Sequence, residues 1–197
     1  MVKIDLFKAI EALKQGGLVV YPTDTLYALG ADIFNEDAVK KVFRVKKRPF
    51  DVPLPVAVST VVDMEKIAFV DRKVRRLAER FLPGQLTLIL NKRDVVPDVV
   101  TSGLDKIAVR IPDNKFALEL LSVFGPLTVT SANIHDMEPP NNIKEIEAQL
   151  KGVDVYLDHG VLEGLPSTIV DITSGEPKFL REGKITKKEI NDVIRHG

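Results

Sequence analysis

Cysteine is absent from the 197 residues. That one absence removes disulfides, thiolate zinc sites, iron–sulfur clusters and cysteine nucleophiles together, and it suits a reducing compartment. No apolar run approaches the roughly 20 residues that a membrane helix needs. The opening Met1-Val2-Lys3-Ile4-Asp5 has no apolar core of the secretory-signal kind, so the expected location is the cytoplasm, with no membrane partner. An excess of one charge is missing too. Lys plus Arg and Asp plus Glu number 28 each, and whole-chain electrostatics therefore gives no argument for nucleic acid. Histidine is scarce: His135, His159 and His196 are scattered and read as surface or structural residues. No set of carboxylates is spaced as a metal cage.

What is present is the composition of a folded chain. Hydrophobic residues make up 45% and charged residues 28%, which excludes the apolar-poor class of disordered sequences. The length suits one domain, residues 1–197, with one sizeable core. Helical and extended patterns alternate throughout, without repeats or a linker, and predict an α/β fold with a mixed sheet. Helices are expected after a cap at Asp5, over Glu36–Val45 and Asp71–Phe81, near Lys115–Val123, after Asn142, and after the capping box of Thr186 and Glu189. Strands are expected at Leu18–Tyr21, Leu54–Val58, Leu86–Leu90, Ile107–Ile111, Leu127–Thr130, Val153–Leu157, Thr168–Ile172 and Lys178–Leu180.

Five polar segments fall where strands end, the place ligands favour in open α/β sheets. Tyr21 to Gly30 puts two threonines and an aspartate in a tight turn, a composition that also suits an ordinary turn. Lys46-Lys47-Arg48-Pro49 closes a stretch in which six of the nine residues from Lys40 to Arg48 are basic. An ammonium and a guanidinium two residues apart suit phosphate oxygens. Read as exposed charges, Lys46 and Arg48 should contribute little to thermal stability. Arg110, inside the apolar Val109-Arg110-Ile111-Pro112, needs an anionic partner, either a structural salt bridge or a ligand. Thr128 to Asn133 carries small polar groups that permit close approach of a ligand. Pro166 to Asp171, with Arg181-Glu182-Gly183 after the next strand, completes the set. A second basic cluster, Arg72 to Arg80, reads as a solvated helix face.

Taken in order, these segments resemble the YrdC-like (TsaC-type) family of threonylcarbamoyl-AMP synthases. The motifs are P-T-D-T-x-Y-x-L-G at Pro22 to Gly30, K-x-R-P at Lys46 to Pro49, P-L at Pro53-Leu54 and P-G-x-L-T at Pro83 to Thr87. They continue with V-R-I-P at Val109 to Pro112, S-A-N at Ser131 to Asn133, S-T-I-V-D at Ser167 to Asp171, and R-E-G at Arg181 to Gly183. The resemblance implies a twisted mixed α/β sheet with flanking helices and a concave basic cavity, in the short form without an extra C-terminal domain. It implies a nucleotidyltransferase that makes threonylcarbamoyl-AMP and pyrophosphate from L-threonine, bicarbonate or CO₂, and ATP with Mg²⁺. A separate transferase complex then uses the adenylate for t6A at position 37 of tRNA. The implied roles are Lys46 and Arg48 at the phosphates as catalytic residues, and Ser131, Asn133 and Arg181 also on the nucleotide. Thr25, Arg110 and Ser167 fall to threonine. Ala28 replaces the motif's usual glycine, Val52 an asparagine, Ala57 a histidine of some relatives, and Ile134 to Pro140 lacks the usual Ser-Gly. Two other readings compete: a module contacting tRNA or double-stranded RNA, as in ribosome assembly, and a carbamoyl-adenylating domain like that of hydrogenase maturation proteins.

Overall fold

The computed structural model describes residues 2–196. In chain order its elements are α1 (Val2–Lys14), β1 (Val19–Pro22), β2 (Tyr27–Gly30), α2 (Glu36–Lys46), β3 (Val56–Ala57), α3 (Val61–Ile67), α4 (Arg72–Phe81) and β4 (Leu86–Asn91). They continue with α5 (Asp98–Thr101), β5 (Lys106–Arg110), α6 (Lys115–Phe124), β6 (Leu127–Thr128), β7 (Thr130–Ser131), α7 (Ile143–Gln149), β8 (Val155–Tyr156), β9 (Thr168–Asp171), β10 (Lys178–Arg181) and α8 (Lys187–His196). The strands form two mixed sheets rather than one, with orders β7-β2-β1-β8 and β10-β9-β4-β5-β3-β6.

Capping chemistry sets several helix starts where the sequence placed them. Asp71 accepts from the Val74 amide at the start of α4, Asn142 from Glu145 at α7, and Thr186 and Glu189 bond reciprocally at α8. Asp5 is not a cap, because α1 begins at Val2 and Asp5 lies in its first turn. The short helices α3 and α5, of seven and four residues, are too short for a helical period to declare itself in the sequence.

β1 shows how the small sheet is buried on both faces. Its side chains alternate, so Val19 and Tyr21 pack with Leu6, Leu13 and Leu120 from α1 and α6, while Val20 joins the larger core with Leu29, Phe43 and Leu88. Fully buried strands read as continuous apolar runs, which is why this one was legible. β2 was not: Tyr27 to Gly30 follows the Thr-Asp-Thr turn directly and pairs antiparallel with β1, Val20 opposite Leu29.

The expected strand at Leu127–Thr130 is in fact two. β6 pairs with β3 in the large sheet and β7 with β2 in the small one, the chain changing sheets at Val129. Buried Thr128 forms the seam: its hydroxyl accepts from the Ala31 amide at 3.0 Å and donates to the Leu29 carbonyl at 2.9 Å. Between the sheets lies a cavity lined by residues from both. Among the described residues no helix is long and apolar enough to cross a membrane.

Candidate functional site

The cavity has a volume of about 800 Å³, within the range of small-molecule sites. Thr25, Arg48, Arg110, Ser131, Asn133, Ser167 and Arg181 line it, so seven of the eight residues singled out from sequence come together; Lys46 lies behind the wall. One corner is built where the β1–β2 turn meets the end of β5. The Thr23 and Thr25 hydroxyls are 2.9 Å apart, and Thr23 also donates to the Leu26 carbonyl, which folds the turn upon itself. Arg110 arrives from β5 and donates through Nη1 to Thr25 Oγ1 at 3.0 Å and through Nη2 to Asp24 Oδ1 at 2.6 Å. Burial lowers the guanidinium's proton affinity, and the Asp24 charge opposes that shift.

The second corner joins the end of α2 to the segment after β7. Lys46 is only 1% exposed, so the reading of an exposed charge fails for it. Its Nζ donates to the carbonyls of Ser131 (2.5 Å) and Asn133 (2.7 Å) and lies 3.3 Å from Asn133 Oδ1. Burial, and next the charge of Arg48, bring the ammonium down to about 7. Ser131 in turn donates to Asn133 Oδ1, and the Asn133 amide bonds the carbonyls of Ile134 and Met137. Lys46 thus ties down the Ser131–Asn133 backbone from behind. Arg48 is half-buried, donating through Nε to Val52 O at 2.9 Å and through Nη2 to Pro53 O at 2.8 Å. It faces the cavity.

A third group stands on the cavity-facing side of β4, β9 and β10. Ser167 Oγ lies 2.8 Å from Thr87 Oγ1, and Arg181 donates through Nε to the Ser167 carbonyl at 2.9 Å and through Nη2 to its hydroxyl at 3.3 Å. Gly183 packs so closely on Pro166 and Ser167 that a Cβ would overlap their backbone.

The Sua5/YciO/YrdC family model, described as "Telomere recombination", matches residues 11–183. The chain belongs to that family. Among relatives of this Sua5/YciO/YrdC member, the threonylcarbamoyl-AMP synthase of Pyrococcus abyssi is 38% identical over 186 residues, 92% of this chain and 55% of that one. A crystal structure of P. abyssi Sua5 complexed with L-threonine superposes with a TM-score of 0.92 at 36% identity, covering 99% of this chain and 58% of that one. The crystal structure of Escherichia coli YciO gives a TM-score of 0.88 at 30% identity, covering 96% of this chain and 94% of that one. The chain therefore spans little more than half the length of the P. abyssi protein.

This family member's cavity also holds residues the sequence did not single out. Thr23, Thr87, Lys106, His135 and Asp171 all line it. Thr23, Thr87 and Asp171 lay within quoted motifs, and two-residue steps back along β5 from Arg110 lead through Ala108 to Lys106. His135, read as a surface or structural residue, faces the cavity, whereas His159 is exposed and contributes its backbone amide to Tyr27 Oη; the His196 side chain lies outside the described residues. The lining is mixed in charge rather than simply basic. Lys106 pairs with Asp171 at 2.9 Å and Arg110 with Asp24, while Arg48 and Arg181 are held by neutral acceptors. Among the described residues no group of three or more His, Asp or Glu is placed to hold a metal ion.

Proposed function

We propose that this chain forms threonylcarbamoyl-AMP and pyrophosphate from L-threonine, bicarbonate or CO₂, and magnesium-bound ATP, acting as a nucleotidyltransferase whose product feeds t6A synthesis on tRNA by a separate transferase complex. The observation that carries the reading is the convergence on one cavity of polar and cationic side chains from distant segments of the chain. Thr25, Arg110 and Ser167 offer hydroxyls and a guanidinium to an amino acid. Arg48 and Arg181 offer donors to a nucleotide, while Ser131 and Asn133 line the cavity beside them on a backbone fixed by Lys46. L-Threonine bound to P. abyssi Sua5 supports the amino-acid half.

In this reading threonine's amine takes up CO₂ and releases a proton, and a carbamate oxygen attacks the α-phosphorus in line, so that the bond to pyrophosphate breaks. The protein's part is orientation and neutralisation of charge moving onto the leaving group. Mg²⁺ arrives with ATP as part of the substrate. The test is incubation of the chain with ATP, L-threonine, bicarbonate and Mg²⁺, following pyrophosphate and the adenylate; appearance of neither overturns the proposal. Carbamoyl phosphate in place of threonine and bicarbonate forms a second arm, and adenylate formation only there assigns the carbamoyl-adenylating reaction instead.

A further inference from the structure

The segment Ile134 to Pro140 brings an imidazole against Arg48. His135 Nδ1 lies 3.4 Å from Arg48 Nη1. The contact is anchored rather than incidental. The His135 amide donates to the Lys46 carbonyl at 2.7 Å, two residues before Arg48. The next residue, Asp136, adopts a left-handed backbone at φ 63°, an uncommon state outside glycine that local contacts must hold. Asp136 Oδ1 stands 3.5 Å from His135 Nε2 on the far side of the ring. An acceptor beside Nε2 and a donor beside Nδ1 favour the neutral tautomer with its proton on Nε2. Arg48 is then held at three points, by Val52 O, Pro53 O and His135 Nδ1. Of its five N–H bonds, two remain for an anion in the cavity.

We propose that His135 is a positioning residue for Arg48, its neutral ring accepting from Nη1 and fixing the guanidinium for the nucleotide's phosphates; this rests on the adenylate-forming reading. Around the ring stand Arg48 on one side, the Asp136 carboxylate on the other, and Lys46, whose carbonyl takes the His135 amide. Removing the Nδ1 acceptor therefore loosens Arg48, whereas a ring that only filled space could be replaced by an apolar side chain without effect on nucleotide binding.

The experiment measures KM for ATP and for threonine at pH 8 in the wild-type chain, His135→Asn and His135→Leu. Asparagine keeps an acceptor near the Nδ1 position; leucine keeps bulk without an acceptor. Expected at pH 8 is a rise in KM for ATP on the order of 10-fold in His135→Leu and within about 3-fold in His135→Asn, with KM for threonine unchanged. An unchanged KM for ATP in His135→Leu, or a loss in His135→Asn as large as in His135→Leu, overturns the assignment. If the wild-type chain makes no adenylate, the catalytic reading fails and the same series is read on calorimetric Kd for magnesium-ATP, with the same outcomes deciding. Absence of ATP binding overturns both.

Discussion

Arg110 reaches across from β5 to Asp24 in the β1–β2 turn, with Nη2 2.6 Å from Oδ1 and both side chains nearly closed to solvent. The same guanidinium holds Thr25 Oγ1 and the Gly84 carbonyl, yet Arg110 Nε and Asp24 Oδ2 are buried without hydrogen-bond partners. A buried donor and acceptor left unmet cost stability, and here both belong to a pair at the edge of the cavity. The two alternatives open in the sequence, a structural salt bridge or a ligand-binding arginine, are not exclusive in this geometry. Asp24 holds the guanidinium in place while Arg110 keeps donor capacity.

The first prediction follows from that pair. Arg110→Ala leaves the Asp24 carboxylate buried without its cation and should cost about 3–5 kcal/mol in urea unfolding, while calorimetry shows threonine affinity falling far more than ATP affinity. Asp24→Asn combined with Arg110→Gln removes both charges and should recover much of the stability but not the threonine affinity. Threonine binding of wild-type strength in that folded double variant would exclude Arg110 as the partner of the substrate carboxylate.

A second prediction concerns Lys46 and pH. Its ammonium is brought to about 7 in the folded chain from an ordinary 10.5, first by burial. Between about pH 7 and 10.5 the unfolded chain therefore binds more protons at this residue than the folded one. Unfolding free energy should rise with pH across that window, by at most about 1.4 kcal/mol per unit, and the slope should vanish below it. Denaturant melts from pH 6 to 9.5 on the wild type and Lys46→Met check this. An identical slope in Lys46→Met would assign the dependence to other groups. Lys46→Ala should also lower stability outright by about 1–3 kcal/mol or more, since the Ser131 and Asn133 carbonyls lose their buried donor.

Gly164 gives a third. A Cβ there would overlap the backbone of Thr25, although the glycine's own φ is one that any residue adopts. Gly164→Ala should thus act by displacing Thr25 rather than by backbone strain. The expected result is a threonine KM raised by roughly 10- to 100-fold with the ATP KM within a few-fold, because displacements of about 1 Å carry penalties of that size. Equal effects on both substrates would mean that the loop moves as a whole and that Thr25 is not the affected contact.

Legibility in the sequence followed from how local each cause was. Caps at Asp71, Asn142 and Thr186 bond within three residues, so the letters alone reveal them. β6 and β7 could not be separated that way, because their division depends on which sheet each edge finds, a long-range matter. The cavity's composition was legible as residue types in order, and its pairings were not. Nothing near Lys46 in sequence indicates that its charge turns inward to carbonyls 85 and 87 residues away, nor that His135 returns beside Arg48. Thr87 could have been found, since alternation along β4 puts it on the same face as Ile89, and both line the cavity.

The last prediction separates a specific role of Arg48 from a general basic field. Arg48 is held by the Val52 and Pro53 carbonyls and by His135, so its planar fork, not its charge alone, sets where its free N–H bonds lie. A lysine at this position cannot reproduce that fork, because one ammonium drawn to the same acceptors turns its charge away from a phosphate. Arg48→Ala should therefore reduce adenylate formation on the order of 100-fold, a loss typical for a donor that stabilises developing charge, and Arg48→Lys should recover little of it. Arg72 and Lys73 on α4 provide the control. Arg72 is exposed, Lys73 bonds the Gly175 carbonyl, and neither lines the cavity. Arg72→Ala with Lys73→Ala should leave pyrophosphate release within about twofold of wild type at fixed ionic strength, as expected of solvated charges. A loss in that control as large as in Arg48→Ala, or full rescue by Arg48→Lys, would reduce Arg48 to one charge among many.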